Sequence, residues 1–162
     1  MAKGKADKDK PAGELLVCSH GRALHDYEIE DRLEAGMVLV GSEVKSLRAR
    51  RADLEGSYAA ISNGELFLYG MHIGPYEQAG KFGNQTKRTR KLLVHGEQIK
   101  KLVGQLGETG YTLVPLRVYF KGGRAKVELG LGKGRKRTDR REQLKKEIDL
   151  REARDAMSRR KR

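Results

Sequence analysis

The chain has 162 residues, 35 Lys and Arg against 22 Asp and Glu, a formal net charge of +13 and a single cysteine. The length suits one domain with a real core, and the charge excess attracts polyanions. Lone Cys18 rules out an intramolecular disulfide or a Cys-rich zinc site and fits the reducing cytoplasm; no apolar run approaches the ~18–20 residues of a membrane span, and the N-terminus lacks the apolar segment of a secretory signal.

Residues 1–13 carry four Lys and two Asp among Gly, Ala and Pro, which predicts a disordered basic lead-in. The apolar run Leu15-Leu16-Val17-Cys18 follows, beside Ser19-His20. Tyr27 to Leu33 alternates apolar and polar as a half-buried strand does, with Glu28, Glu30 and Arg32 on its solvated face. Ala35-Gly36 predicts a turn or bulge before a second short strand, Met37 to Val40. Ser42 to Arg51 predicts a helix with Val44 and Leu47 on one face and Lys45, Arg48, Arg50 and Arg51 elsewhere.

Ser57 to Ile61 and Glu65 to Tyr69 flank Ser62-Asn63-Gly64, and Asn-Gly between apolar runs is a strong hairpin signal. A loop over 80–85 leads to the basic run Lys87-Arg88-Thr89-Arg90-Lys91. In 96–106, Ile99, Leu102, Val103 and Leu106 fall at helical spacing, and Gly107 and Gly110 end that helix. Tyr111 to Phe120 and Ala125 to Leu131 flank Lys121-Gly122-Gly123-Arg124 as a second hairpin, with Pro115 predicting an edge or bulge. Gly130-Leu131-Gly132-Lys133-Gly134 lacks phosphate-loop spacing and predicts a flexible exit.

The last thirty residues, 133–162, carry fourteen Lys and Arg and six Asp and Glu, so the middle, 14–132, is only +3. The organisation read from this is a globular body over 14–132 and a basic tail over 133–162. Asp139 to Glu142 resembles a helix cap, with Leu144, Ile148, Arg151 and Asp155 on one stripe. That stripe is too narrow to hold a helix alone. The tail is expected to be disordered when free and helical against a polyanion.

Six short antiparallel strands with helices at two connections predict a mainly β, OB-like six-stranded barrel with about three short helices and a basic C-terminal tail. No catalytic constellation is present: His20, His25, His72 and His95 are scattered without metal-ligand spacing, and no cofactor is implied. Three basic clusters point to nucleic acid, at 45–51, at 87–91 and in the tail. Tyr76, Phe82 and Tyr119 are candidate stacking aromatics, each equally a core candidate.

Five strings together resemble the SmpB family: HDYEIED (25–31), LEAGMVLVGSEVKSLRAR (33–50), GSYAAISNGELFLYGMHIGPYEQ (56–78), RTRKLLVH (88–95) and GYTLVPLRVYFKGGRAKVELGLGKGRKRTDRRE (110–142). The resemblance spans roughly residues 20 to 158. It implies binding to the tRNA-like domain of transfer-messenger RNA and delivery to the decoding centre of stalled ribosomes, with the tail probing the empty mRNA channel. Elongation factor Tu would be met indirectly, through the charged RNA, and no bond is made or broken.

The resemblance carries RNA binding onto Glu34, Leu93 and Lys126, and the basic clusters add Lys45, Arg48, Arg88, Arg90 and Lys91. It carries ribosome contact onto Lys133, Gly134, Arg135, Lys136, Asp139, Arg140 and Arg141. Glu34 would orient a basic side chain such as Lys126 or accept from a ribose hydroxyl or base amine. Leu93 would touch an unstacked base or support the site from the core. The sequence departs from the family's pattern at Gln85-Thr86-Lys87, in place of the usual Asp-Pro, and at Arg140-Arg141, in place of Lys-Arg. The alternatives are a general OB-type RNA-binding or ribosome-associated structural protein and, more remotely, a nuclease using His25 or His72.

Overall fold

The computed structural model describes residues 13–76, 85–135 and 137–160. The lead-in through residue 12, most of the 80–85 loop, Phe82 and Lys136 lie outside the described residues. The elements in chain order are β1 (Glu14–Ser19), α1 (Ala23–Asp26), β2 (Tyr27–Met37), α2 (Gly41–Arg48), β3 (Ala52–Asp53), β4 (Tyr58–Ser62) and β5 (Glu65–Tyr69). They continue with β6 (His72–Ile73), β7 (Arg90–Leu93), α3 (Gly96–Leu106), β8 (Tyr111–Lys121), β9 (Arg124–Gly134) and α4 (Arg137–Arg160).

The main sheet is antiparallel with the order β1-β8-β4-β5-β7-β2-β9, and β8 also pairs with β9. Six strands therefore close a ring, with β1 attached outside it. Closure needs a strand that can serve two neighbours along one edge. β8 pairs with β9 along its whole length, and divides its other edge between β1, from Arg117 to Lys121, and β4, at Leu113. Its register shifts between Pro115 and Arg117, so Pro115 marks the expected bulge. There the Leu116 carbonyl turns away and accepts the His20 amide at 2.7 Å. The enclosed core is aliphatic, with Leu47, Leu66, Leu68, Leu113, Val118 and Val127 fully buried.

Both predicted hairpins form. Asn63 (φ 50°) and Gly64 (φ 73°), and likewise Gly122 (φ 58°) and Gly123 (φ 75°), place two successive residues in the left-handed region. Such turns match the twist of the strands they join. Helix α3 occupies the predicted residues, and α2 is shorter than predicted.

The predicted fold is corrected in three places. The sheet has seven strands, beside a two-stranded β3–β6 ribbon, and the chain has four helices among the described residues. Ala35-Gly36 is not a turn and Met37 to Val40 is not a second strand: β2 runs through to Met37, pairing Ala35 with Val127 and Gly36 with Lys126, because Ala35 is buried in the core. Gly130 to Gly134 is no flexible exit either. It is the end of β9, paired against β2 as far as Gly134 with Tyr27, so the ordered body continues past residue 132.

These glycines answer a crowding requirement. β2 bulges between Ile29 and Asp31 opposite them. A Cβ built on Gly132 would lie 2.2 Å from the Glu28 carbonyl oxygen, and one on Gly130 2.9 Å from Ile29 Cδ1. The first contact is with backbone and cannot be relieved by a rotamer. Gly132→Ala is therefore expected to destabilise the fold by at least the ~1–3 kcal/mol typical of overpacking, whereas Gly134→Ala, with only the Tyr27 ring 4.0 Å away, should cost little. Thermal unfolding of the two variants checks the contrast.

Candidate nucleic-acid interface

Three strands bring Glu34, Leu93 and Lys126 to one place. β2 carries Glu34, β7 ends at Leu93, and β9 carries Lys126. Lys126 faces Gly36 across the β2–β9 ladder, and Gly36 also faces Leu93 across β2–β7. All three line an open cleft of about 680 Å³, with His95 at the start of α3 and Gln98 within it, Val44 from α2, and Phe120 and Arg124 beside the β8–β9 turn.

The Glu34 carboxylate is held from below. Its Oε2 accepts the Tyr119 hydroxyl and, at 3.4 Å, the Lys121 ammonium. The Tyr119 hydrogen bond, helped by Lys121 and the nearby Lys126 charge, holds the carboxyl below the usual glutamate range. The same contact and burial push the Tyr119 phenol well up. Glu34 does not bond Lys126, so the partners it orients are Tyr119 and Lys121. Its Oε1 takes no hydrogen bond from the described residues and is free to accept one. Tyr119, 2% exposed, lies under the Arg117 guanidinium, 4.7 Å from the ring centroid, and Arg117 is fixed by Glu128 at 2.5 Å and Glu14 at 3.2 Å. It is a buried support for the site and not a stacking aromatic.

Leu93 is 55% exposed, so its side chain stands at the surface and not in the core. Arg124 is exposed on the cleft rim. Arg48 places its guanidinium 5.2 Å from the Phe120 ring centroid, and Lys45 lies over Tyr76 at the same distance. Of the first basic cluster, Arg48 therefore flanks the cleft through Phe120.

In the second cluster Arg88, Arg90 and Lys91 are paired with carboxylates. Arg90 is fully buried. Its Nε donates to Glu43 Oε2 at 2.5 Å, Nη1 to the Met71 and Arg88 carbonyls at 2.8 and 3.1 Å, and Nη2 to the Thr86 carbonyl at 3.1 Å. Arg88 donates through Nε to Glu43 Oε1 at 3.0 Å, and Lys91 pairs with Glu65 at 2.7 Å. Arg90 thus holds the chain that leads into β7. This could not be read locally, because its carboxylate partner lies 47 residues away.

In the predicted tail group, Lys133 sits 4.4 Å over the Tyr111 ring, Gly134 pairs with Tyr27, and the Arg135 amide donates to the Asp26 carbonyl at 2.8 Å. These belong to the body. Helix α4 begins at Arg137, so Asp139 and Arg140 lie in its first turn and Asp139 is not its cap. Arg141 and every other described tail side chain are exposed, among them Leu144, Ile148, Leu150 and Met157.

Among the described residues no group of three or more His, Cys, Asp or Glu could hold a metal. Burial pushes the Cys18 thiol up to about 11 with help from Asp53, against a backbone hydrogen bond to Val118, so it is a poor nucleophile at neutral pH. No helix among the described residues is long and apolar enough to cross a membrane.

The comparisons with known proteins agree with one another. The family model described as SmpB protein matches residues 17–159. The SsrA-binding protein of Geobacter metallireducens is 52% identical over 90% of this chain and 95% of its own. That of Enterococcus faecalis is 54% identical over 86% and 92%. A chain of a solved assembly described as "tmRNA-SmpB: a journey to the center of the bacterial ribosome" is 44% identical, with a TM-score of 0.64 over 78% of this chain and 93% of that one.

Glu43 is the carboxylate on which Arg88 and Arg90 converge. Burial raises its pKa, but the two arginine hydrogen bonds outweigh burial and hold it below the usual range. Its contribution to stability is therefore present above the unfolded carboxylate pKa near 4.3 and is lost as pH falls through the lowered folded value. Glu43→Ala strands Arg90 without its carboxylate and is expected to cost about 3–5 kcal/mol. Urea unfolding at pH 7 and pH 4 should show a gap between wild type and variant that narrows on acidification.

Proposed function

Because the chain belongs to the SmpB family of SsrA-binding proteins, we propose that it binds transfer-messenger RNA and accompanies it to the ribosome in trans-translation; the descriptions of its relatives name SsrA binding and, for the solved assembly, tmRNA and the ribosome. One observation carries the reading furthest: three strands converge Glu34, Leu93 and Lys126 on a single cleft. The closed six-strand ring that builds this cleft is the basis for reading the body as OB-like. The protein is a recognition and delivery factor, and no bond is made or broken.

The body takes the tRNA-like domain of the RNA. The ionised Glu34 offers its open Oε1 to a ribose 2′-hydroxyl or a base amine, both donors. Leu93 offers apolar surface to an unstacked base. Lys126, Arg124 and Arg48 place positive charge around the cleft for phosphates. Site and charge thus divide the work, with a fixed acceptor for position and the cations for affinity.

The tail takes the decoding centre and the empty mRNA channel. An α4 of 24 residues is about 36 Å long at ~1.5 Å per residue, and the exposure of its described side chains fits a helix whose partner is another molecule. Alone, so polar a helix is marginal, so ordering is completed on ribosomal RNA. Elongation factor Tu is met through the charged RNA, in the cytoplasm where ribosomes work.

Filter binding to the tRNA-like domain and a matched hairpin at several salt concentrations tests the cleft. Lys126→Ala should lose roughly tenfold in affinity and lower the salt slope by about 1. Leu93→Ala should lose affinity with the slope unchanged; equal binding to both RNAs by the wild type would refute the reading. Truncation after Arg135 should leave this binding near normal and abolish ribosome rescue in a reconstituted translation reaction. A large loss of RNA affinity would instead make the tail the binding site.

A further inference from the structure

The outer face of β4 and β5 carries aromatic surface that the cleft does not use. Alternation along the strands turns Ala59, Leu66 and Leu68 into the core and leaves Tyr58, Ala60, Phe67 and Tyr69 outside. Tyr58 and Tyr69 are directly opposite in the ladder. Their rings stack at 5.2 Å between centroids and 16° between planes, and Phe67 leans on Tyr69 at 6.4 Å. Tyr58 remains 50% exposed. Opposite Phe67 the ladder has Ala60, so nothing bulky covers that ring from β4.

This face is continuous with the cleft. Phe67 pairs with Lys91 on β7, and Leu93 is two residues further along the same side. By strand spacing, Tyr58 is roughly 16 Å from Leu93, across two ladders and four residues. The cation between them, Lys91, is paired with Glu65 at 2.7 Å. The surface therefore presents aromatic rings beside a mutually neutralising ion pair, which suits a base and not a phosphate.

We propose that Tyr58, Tyr69 and Phe67 form a second RNA-contact site, a stacking platform that takes an unpaired nucleobase of the RNA whose neighbouring segment occupies the cleft. The site rests on the RNA-binding reading given above. It extends the footprint from one edge of the ring onto the β4–β5 face and supplies base stacking where the cleft supplies a hydrogen-bond acceptor and phosphate contacts. Base–aromatic stacking tolerates any base, so the platform fixes the position of an extruded nucleotide without reading its identity.

The chain has no tryptophan, so Tyr58→Trp in the full-length protein creates a lone fluorescent reporter at the platform. Titration with the tRNA-like domain RNA should quench it as a base stacks on the indole. Tyr58→Ala should weaken binding roughly tenfold with the salt slope unchanged, and Tyr58→Phe should restore it, with melting temperatures of both variants recorded as the folding control. A gel shift by Tyr58→Trp without quenching, together with wild-type affinity of Tyr58→Ala, overturns the platform and leaves the cleft reading standing. No shift by the wild-type protein overturns the RNA reading itself. Quenching that grows with protein concentration in the absence of RNA assigns the face to a second copy of the chain and also overturns the platform.

Discussion

The buried contact of Glu43 with Arg88 and Arg90 ties the site to the fold. Glu43 stands at the third position of α2, where its Oε1 also accepts the Val40 amide at 3.3 Å. Arg90 begins β7 and gathers the Met71, Arg88 and Thr86 carbonyls. A charge removed from water needs its partners in place, so α2, β7, the end of the β5–β6 connection and the chain before β7 are fixed relative to one another. Leu93, three residues beyond Arg90, inherits its position from this contact. So does Val44, the neighbour of Glu43 in the cleft wall.

The net charge of the chain resolves into several jobs. Arg90, Arg88 and Arg117 are spent on internal carboxylates, and Lys91 and Lys101 on surface ones. Lys121 leans on Glu34. Arg48, Arg124 and Lys126 stand around the cleft, and the described tail cations Arg141, Lys145, Lys146, Arg151 and Arg154 are exposed. A body with little free charge must recognise shape and placed groups, and a tail with much of it gains affinity for any polyanion it is brought near.

Local signals were legible in the sequence and long-range ones were not. Asn63-Gly64 and Gly122-Gly123 announce their hairpins because the turn itself demands left-handed residues. α3 announces itself by spacing. β7 was hidden because Arg90-Lys91-Leu92-Leu93 is four residues long and reads as charge; only a carboxylate 47 positions away turns Arg90 inward. β1 is six residues whose pairing lies about a hundred positions downstream. Gly132 looked like freedom because its crowding comes from the Glu28 carbonyl on another strand. The three principal site residues came from the family resemblance; their convergence follows from the β2–β9 and β2–β7 registers, which no local pattern encodes.

Ring closure also bears on how the protein behaves before it meets RNA. Open sheets expose rows of unpaired amides and carbonyls that invite edge-to-edge association. Here six strands return on themselves, and β1, the strand outside the ring, is short and begins at Glu14, a charged residue paired with Arg117. A β-rich chain built this way leaves few strand edges for a second copy to pair with, and its like charge opposes close approach.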